Sequence, residues 1–337
     1  MARQHGALPM KPFNLFPYGS NIHFMRLRWV SLAIAALLMF GSLGTMLYNT
    51  FSTGHFNGAG TFNYALDFTG GVGVELRYAK APNVDQVREN LEKAGYQHAV
   101  VQTFGSSSDL LVRLQTRQAQ SNQDATSSIG DSVAQAASLP DNPAVKRSSA
   151  AISAQVGQEL ALNGFYALLF VMVGFLIYIS FRFELKFAIA AIIATLHDVS
   201  IVCGWFAITG HEFNLNVLAG VLAVMGFSIN DTIVVFDRVR ENFRSMRASP
   251  EEVMNASVNQ TLSRTIITSF VAFLSMLALY IFGGESLRGL AEAQIIGVVI
   301  GTLSSIFIAC PLLLMQHVSK QDLMPKARDE AALARRP

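Results

Sequence analysis

Six stretches of this chain are apolar for close to the roughly 20 residues that a helix needs to cross a bilayer, and no other feature constrains the fold as much. They run over 29–48, 163–181, 187–208, 214–236, 265–282 and 290–315. In hydrocarbon a backbone satisfies its polar groups only as a helix or a closed barrel, and continuous runs of this length are helices. With 51% apolar and 14% charged residues among 337, the chain reads as a polytopic α-helical membrane protein with six transmembrane helices. The first stretch follows Arg26 and Arg28, as a signal peptide would. It lacks a small-x-small cleavage site, so a retained anchor is expected.

Lys and Arg in the short loops set the orientation. Lys11, Arg26 and Arg28 precede the first span, Arg182 and Lys186 separate the second from the third, and Arg238, Arg240, Arg244 and Arg247 separate the fourth from the fifth. Lys320, Lys326 and Arg328 follow the sixth, whereas the opposite loops hold only Arg288. The expected order is a cytoplasmic segment 1–28, a first span 29–48, an extracytoplasmic domain 49–160, a five-helix bundle 161–316 and a cytoplasmic tail 317–337. From Pro325 onward that tail has the composition of a disordered segment. The net charge of +2 is dispersed among loops, which argues against a nucleic-acid partner. Cys203 and Cys310 fall inside apolar stretches and read as inert, buried thiols.

Residues 49–160 read as a small α+β domain. Val72-Gly-Val-Glu-Leu-Arg-Tyr78 alternates like a half-buried strand. Asn83 after Pro82, with Gln86 three residues on, starts a helix in which Val84, Val87, Leu91 and Ala94 share a face until Gly95. Strands are expected near 98–104 and 110–115, a second helix through Ile129, Val133, Ala136 and Ala137, and a last strand near 144–152. This β-α-β-β-α-β order is that of a ferredoxin-like split βαβ unit.

Two ionisable residues sit within the spans, where a charge costs several kcal/mol and by default marks function. They are Asp231, in the fourth, and Arg264, which opens the fifth. Their midpoint falls near Arg247, inside the charged turn, so two antiparallel helices would carry them at similar depth and permit an ion pair. Burial disfavours a charged carboxylate and a nearby arginine favours it, so a carboxyl between those terms can load and unload a proton as helices shift. Against this, Arg264 is close enough to a span end to snorkel to the headgroups, and Asp231 could simply hydrogen-bond to neighbouring helices. His197 and Asp198, near the middle of the third span, form either a secondary proton relay or a packing cluster. Asn230 and Ser228 read as packing residues. Gly297-x-x-x-Gly301 is a small-residue packing motif that could seat a partner helix, and Gly226 is a third packing glycine. No Gly-x4-Gly-Lys-Ser/Thr loop, nucleophile–base constellation or metal-ligand spacing occurs, so neither ATP hydrolysis nor another enzyme activity is expected, and no cofactor beyond protons as coupling ion.

Seven segments together resemble the SecF family, the smaller half of the SecD–SecF protein-export membrane complex in the RND superfamily. They are Asp67-Phe-Thr-Gly-Gly71, Phe181-Arg-Phe-Glu184, His197-Asp198, Gly226-Phe-Ser-Ile-Asn-Asp231, Asp237-Arg-Val-Arg-Glu-Asn242, Thr261-Leu-Ser-Arg-Thr-Ile-Ile-Thr-Ser269 and Gly283-Gly284. Asp67, Gly70 and Gly71 form the family's signature turn. The chain departs from the family pattern at Phe227, where Tyr is usual, and at Ala154-Gln155, where Gly-Pro is usual. The resemblance implies an RND-type half, with Asp231 at the position of a proposed proton carrier and Arg264 in its Leu-x-Arg-Thr segment. It also implies a location in the inner membrane and partners in SecD, the SecYEG channel, YajC, membrane lipid and exported unfolded preproteins. Three functions remain open at this point: a proton-driven export machine, a structural assembly factor of the translocon, and half of an RND-type efflux pump.

Overall fold

A computed structural model describes residues 21–52, 60–96, 99–104, 106–114, 123–152 and 154–318. The expected tail beyond 318, most of the N-terminal segment and the first residue of the expected 98–104 strand lie outside the described residues. After a 3-10 turn, Phe24–Leu27, come α1 (Arg28–Ser52), β1 (Asn63–Tyr64), α2 (Leu66–Thr69) and β2 (Gly71–Arg77). Next are α3 (Val84–Lys93), β3 (Val100–Phe104), β4 (Ser106–Leu114), α4 (Gln123–Ala137) and β5 (Val145–Ile152). The membrane bundle continues with α5 (Ala154–Arg182), α6 (Leu185–Thr209), β6 (Glu212–Phe213), α7 (Leu215–Ser245), α8 (Pro250–Phe282), α9 (Glu285–Phe307) and α10 (Ala309–Met315). Six of these segments are long and apolar enough to cross a membrane, and they coincide with the six apolar stretches of the sequence.

Between the first and second spans, strands β3-β4-β2-β5 form one antiparallel sheet in that order, the arrangement of a split βαβ unit. Val72, Val74 and Leu76 point into a core shared with Val87 and Leu91 of α3 and with Val133 and Ala137 of α4, as the alternation of β2 dictates. The Asn83 side chain accepts the Asp85 and Gln86 N–H groups at the start of α3. A second, two-stranded parallel sheet pairs β1 with β6 and joins this domain to the connection between α6 and α7. Nothing in the sequence announced it.

In the bundle α6, α7 and α9 are central. Over half (56%) of the most apolar stretch of each of these three spans is buried, against 11%, 6% and 11% for the spans of α1, α5 and α8. The sixth span is broken rather than continuous. Pro311 has no N–H and its ring crowds the carbonyl four residues back, so helical pairing fails at Phe307 and the chain bends through Ile308. The freed Phe307 carbonyl accepts the Ser31 hydroxyl of α1 at 2.9 Å. Pro250 at the first position of α8 and a capping box between Ser249 and Glu252 start that helix cleanly.

Candidate functional site

Two carboxylates are buried around α7, Asp198 of α6 against it and Asp231 of α7 itself toward α8. Asp198, on α6, is wholly covered. Its Oδ1 lies 2.8 Å from His197 Nδ1 and its Oδ2 accepts the Ser228 hydroxyl at 2.5 Å. Glycine makes this approach possible. A β-carbon at Gly301 of α9 would lie 3.3 Å from Ser228 Cβ and 3.7 Å from Asp198 Oδ2, and one at Gly297 would overlap the Val224 methyls. The two glycines therefore seat α7 of the same chain, which corrects the expectation that they could seat a partner helix. Ser228, expected to serve packing, holds the carboxylate. His197 Nε2 is buried without a partner.

Asp231 is placed differently. It is 4% exposed, yet the hydrogen bond recorded for its side chain is one from Ser269 Oγ of α8 at 3.5 Å, the outer limit for such a bond. The Ser269 hydroxyl has one proton, and a much shorter acceptor for it in the Thr265 carbonyl at 2.7 Å. Thr302 of α9 reaches the Ser269 oxygen at 2.7 Å. Thr232 and Thr265, on α7 and α8, have buried hydroxyl oxygens without a partner. The hydroxyl that does reach the carboxyl is thus turned mainly to another acceptor.

Arg264 does not pair with Asp231 among the described residues, which corrects the expected ion pair. Its side chain is exposed. The hairpin register explains this. Asn242 bonds Ser257 and Gln260, and Asp231 meets Ser269, so the α7–α8 pairing is centred on Pro250 rather than near Arg247. Arg264 then lies more than a turn before the level of Asp231. Side chains lean toward their helix's N-terminus, which carries its guanidinium further away.

Gly226 and Asn230 are exposed, and a β-carbon at Gly226 would meet nothing within 4 Å, so Gly226 is not a packing residue within this chain. The face that α7 turns to α9 runs through Gly220, Val224 and Ser228. Gly226 lies roughly half a turn round from it. With Ala219 and Ala223 it forms an uncovered stripe of small residues on an otherwise central helix.

The Asp67-Phe-Thr-Gly-Gly71 turn lies at the junction of sheet domain and bundle. Asp67 Oδ2 accepts the Leu215 N–H at the start of α7, and Gly70 and Gly71 take φ of 68° and 128°. Sequence reasoning missed Arg113 and Glu212 there, which pair at 2.9 Å with side chains only 6% and 24% exposed. The signal for them was weak: two oppositely charged residues 99 positions apart. Burial holds the nearby Tyr64 hydroxyl up at about 12, so it stays protonated.

Residues 133–319 match a family model described as protein export membrane protein SecD/SecF, C-terminal. The chain is 42% identical over 313 residues to a protein translocase subunit SecF of Pseudomonas aeruginosa, covering 92% of this chain and 96% of that one. It is 36% identical over 325 residues to the subunit of the same name from Escherichia coli O157:H7, covering 94% and 96%. The crystal structure of SecDF from a Thermus species, a translocon-associated membrane protein, superposes with a TM-score of 0.75 at 33% identity, over 89% of this chain and 39% of that one. A SecDF structure in a super-membrane-facing form gives 0.61 at 32% identity over 90% and 40%. The chain thus spans about two fifths of the solved SecDF chains and nearly the whole of the curated SecF subunits. With six spans, an inserted split βαβ domain and relatives of this identity along almost its full length, the chain belongs to the SecF family of protein translocase subunits.

Proposed function

We propose that the chain works as one half of a proton-driven export machine, completed by SecD, in which Asp231 takes up and releases the coupling proton. The observation that carries this is the state of Asp231: a buried carboxyl whose side-chain hydrogen bond among the described residues is long. An ion in such a place costs several kcal/mol unless it is paired. Both ways out serve the reading, because the carboxyl either holds a proton or gains donors when a neighbouring helix arrives. Ala219, Ala223, Gly226 and Asn230 give that neighbour a surface on which backbones approach closely. Arg264, exposed more than a turn away along α8, supplies a fixed charge that a helix shift would bring nearer. Solved SecDF structures differ in likeness to this chain at nearly equal identity, which supports more than one arrangement of the parts.

In this reading the 49–160 domain faces away from the cytoplasm and meets unfolded preproteins emerging from the SecYEG channel, with YajC as a further partner. The chain lies in the inner membrane with both termini cytoplasmic, as the Lys/Arg bias requires. Labelling by an impermeant thiol reagent tests the orientation in a chain with Cys203 and Cys310 replaced by alanine: Ser107→Cys should react in intact spheroplasts and Ala248→Cys only after lysis. The decisive experiment is Asp231→Asn assembled with SecD. Proton-gradient-dependent export should fall at least about tenfold, equivalent to roughly 1.4 kcal/mol, with the amount of complex unchanged. Normal export across a range of proton-motive force would remove the carboxyl from the mechanism. Lost assembly would make the chain a structural factor instead.

A further inference from the structure

The signature turn has had no job so far, and neither has the buried Arg113–Glu212 pair. They occupy the same junction. Ala65 N–H donates to the Phe213 carbonyl at 2.9 Å and β1 pairs with β6, so the domain's first strand is welded to the α6–α7 connection. Two residues on, Asp67 takes the first N–H of α7 at 3.2 Å. The backbone of Phe68 leaves no room for a β-carbon at Gly157, so the turn also wedges against the first turns of α5. Gly71, at a φ of 128°, then passes the chain into β2 so close to the Leu114 carbonyl that a β-carbon would strike it.

On the sheet itself, Glu212 is held at two points. Arg113 Nη1 of β4 donates to its Oε1 at 2.9 Å and Gln102 Nε2 of β3 to its Oε2 at 2.6 Å. Arg113 Nη2 closes the ring on Gln102 Oε1 at 3.1 Å. A nearly buried guanidinium–carboxylate pair cross-linked to Gln102 is a fixed contact, held through both terminal nitrogens of Arg113 while its Nε has no partner among the described residues. Phe62, Tyr64 and Phe68 stack around Phe213 and fill the space between.

We infer that the outer domain and α7 form one rigid body, with Asp67 and the Arg113–Glu212–Gln102 ring as its joint. The joint positions the outer domain for transport. This rests on the proton reading of Asp231 for its driving force, though not for its geometry. Asp231 lies 16 residues beyond Leu215, roughly 24 Å along α7, so a tilt of about 10° about Asp231 swings the joint by roughly 4 Å. The domain must follow, because the strand pairing, the Asp67 bond and both bonds to Glu212 end on the segment 212–215, and the start of α5, wedged on the turn, moves with them.

The test uses the full chain with SecD in lipid, Cys203 and Cys310 replaced by alanine. Spin labels are placed at Ser107→Cys in the outer domain and Ser245→Cys at the far end of α7. The intact joint should give one narrow distance. Asp67→Ala with Glu212→Ala should broaden it at least about twofold and slow export at least about tenfold, with the complex still assembled. A broad distance in the intact chain overturns the joint, and so does a narrow distance or normal export in the loosened one. If the loosened chain does not assemble, Glu212→Asp, which keeps the charge but withdraws it by one methylene, is read by the same criteria. Normal export by Asp231→Asn would remove the proton step and leave these distances untouched, so the two ideas fail separately.

Discussion

The two flanks of α7 are built to opposite specifications. On the α9 side, glycine spacing brings the backbones together and Asp198 has two short partners. On the outward side Ala219, Ala223 and Gly226 are equally small, but no described residue covers them, while Asp231 lies on the covered face toward α8 with a 3.5 Å contact as the hydrogen bond to its side chain among the described residues. Small residues thus mark both a covered face of the helix and an uncovered one. What separates them is whether a neighbouring helix of the same chain presses on them.

Four changes test that contrast, taken in order of their effect on the chain's own stability. Gly297→Leu drives a side chain into Val224 and should cost about 3 kcal/mol or more, read as loss of folded protein in detergent. Asp198→Ala strips partners from His197 and Ser228 and should cost about 2 kcal/mol, seen as a lower melting temperature. If it proved as mild as a surface change, the Asp198 flank would not be the closed unit described here. Acid offers a control away from both flanks. Arg77 grips Asp109 at 2.8 and 3.0 Å and holds its carboxyl down at about 2, below the ordinary 3.8. A lowered carboxyl value stabilises the folded state above the ordinary value and stops doing so as pH falls through the folded one. Outer-domain stability should therefore decline between about pH 4 and pH 2, and Asp109→Asn should flatten that decline in an acid melt. Gly226→Leu should change the stability of the isolated chain by no more than about 0.5 kcal/mol, leaving its melting temperature nearly unmoved, while abolishing co-purification with SecD. A substitution there that melted the lone chain would mean the stripe is internal after all.

Much of this was legible in the chain, for identifiable reasons. The spans declared themselves by length, and β2 and α3 by the spacing of Val72, Val74, Leu76 and Val87, because each pattern is local. The break in the last span had its signal too: Pro311 stands inside 290–315, and a proline in a helix frees the carbonyl four residues earlier. Other features were hidden. Strands β1 and β6 are two residues each and show no period, and their pairing joins residues nearly 150 positions apart. The Asp231–Arg264 pairing failed because a midpoint argument assumes equal rise on both sides of a turn, whereas the hairpin is centred on Pro250. Gly226 and Gly301 look alike as letters. Only the position of α9 reveals that one is pressed against a neighbour and the other faces outward.

The bond from Ser31 to the Phe307 carbonyl also has a meaning for how the protein is made. Synthesis delivers α1 to the membrane first and the proline-broken sixth span last. At the break, a backbone oxygen stripped of its helical partner would face hydrocarbon, where an unmet polar group costs several kcal/mol. The donor that answers it has been waiting in the first span since the start of synthesis. The last helix to arrive thus takes a bond from the first, whose Ser31 hydroxyl divides its proton between the Phe307 carbonyl at 2.9 Å and the Arg28 carbonyl of its own helix at 3.0 Å.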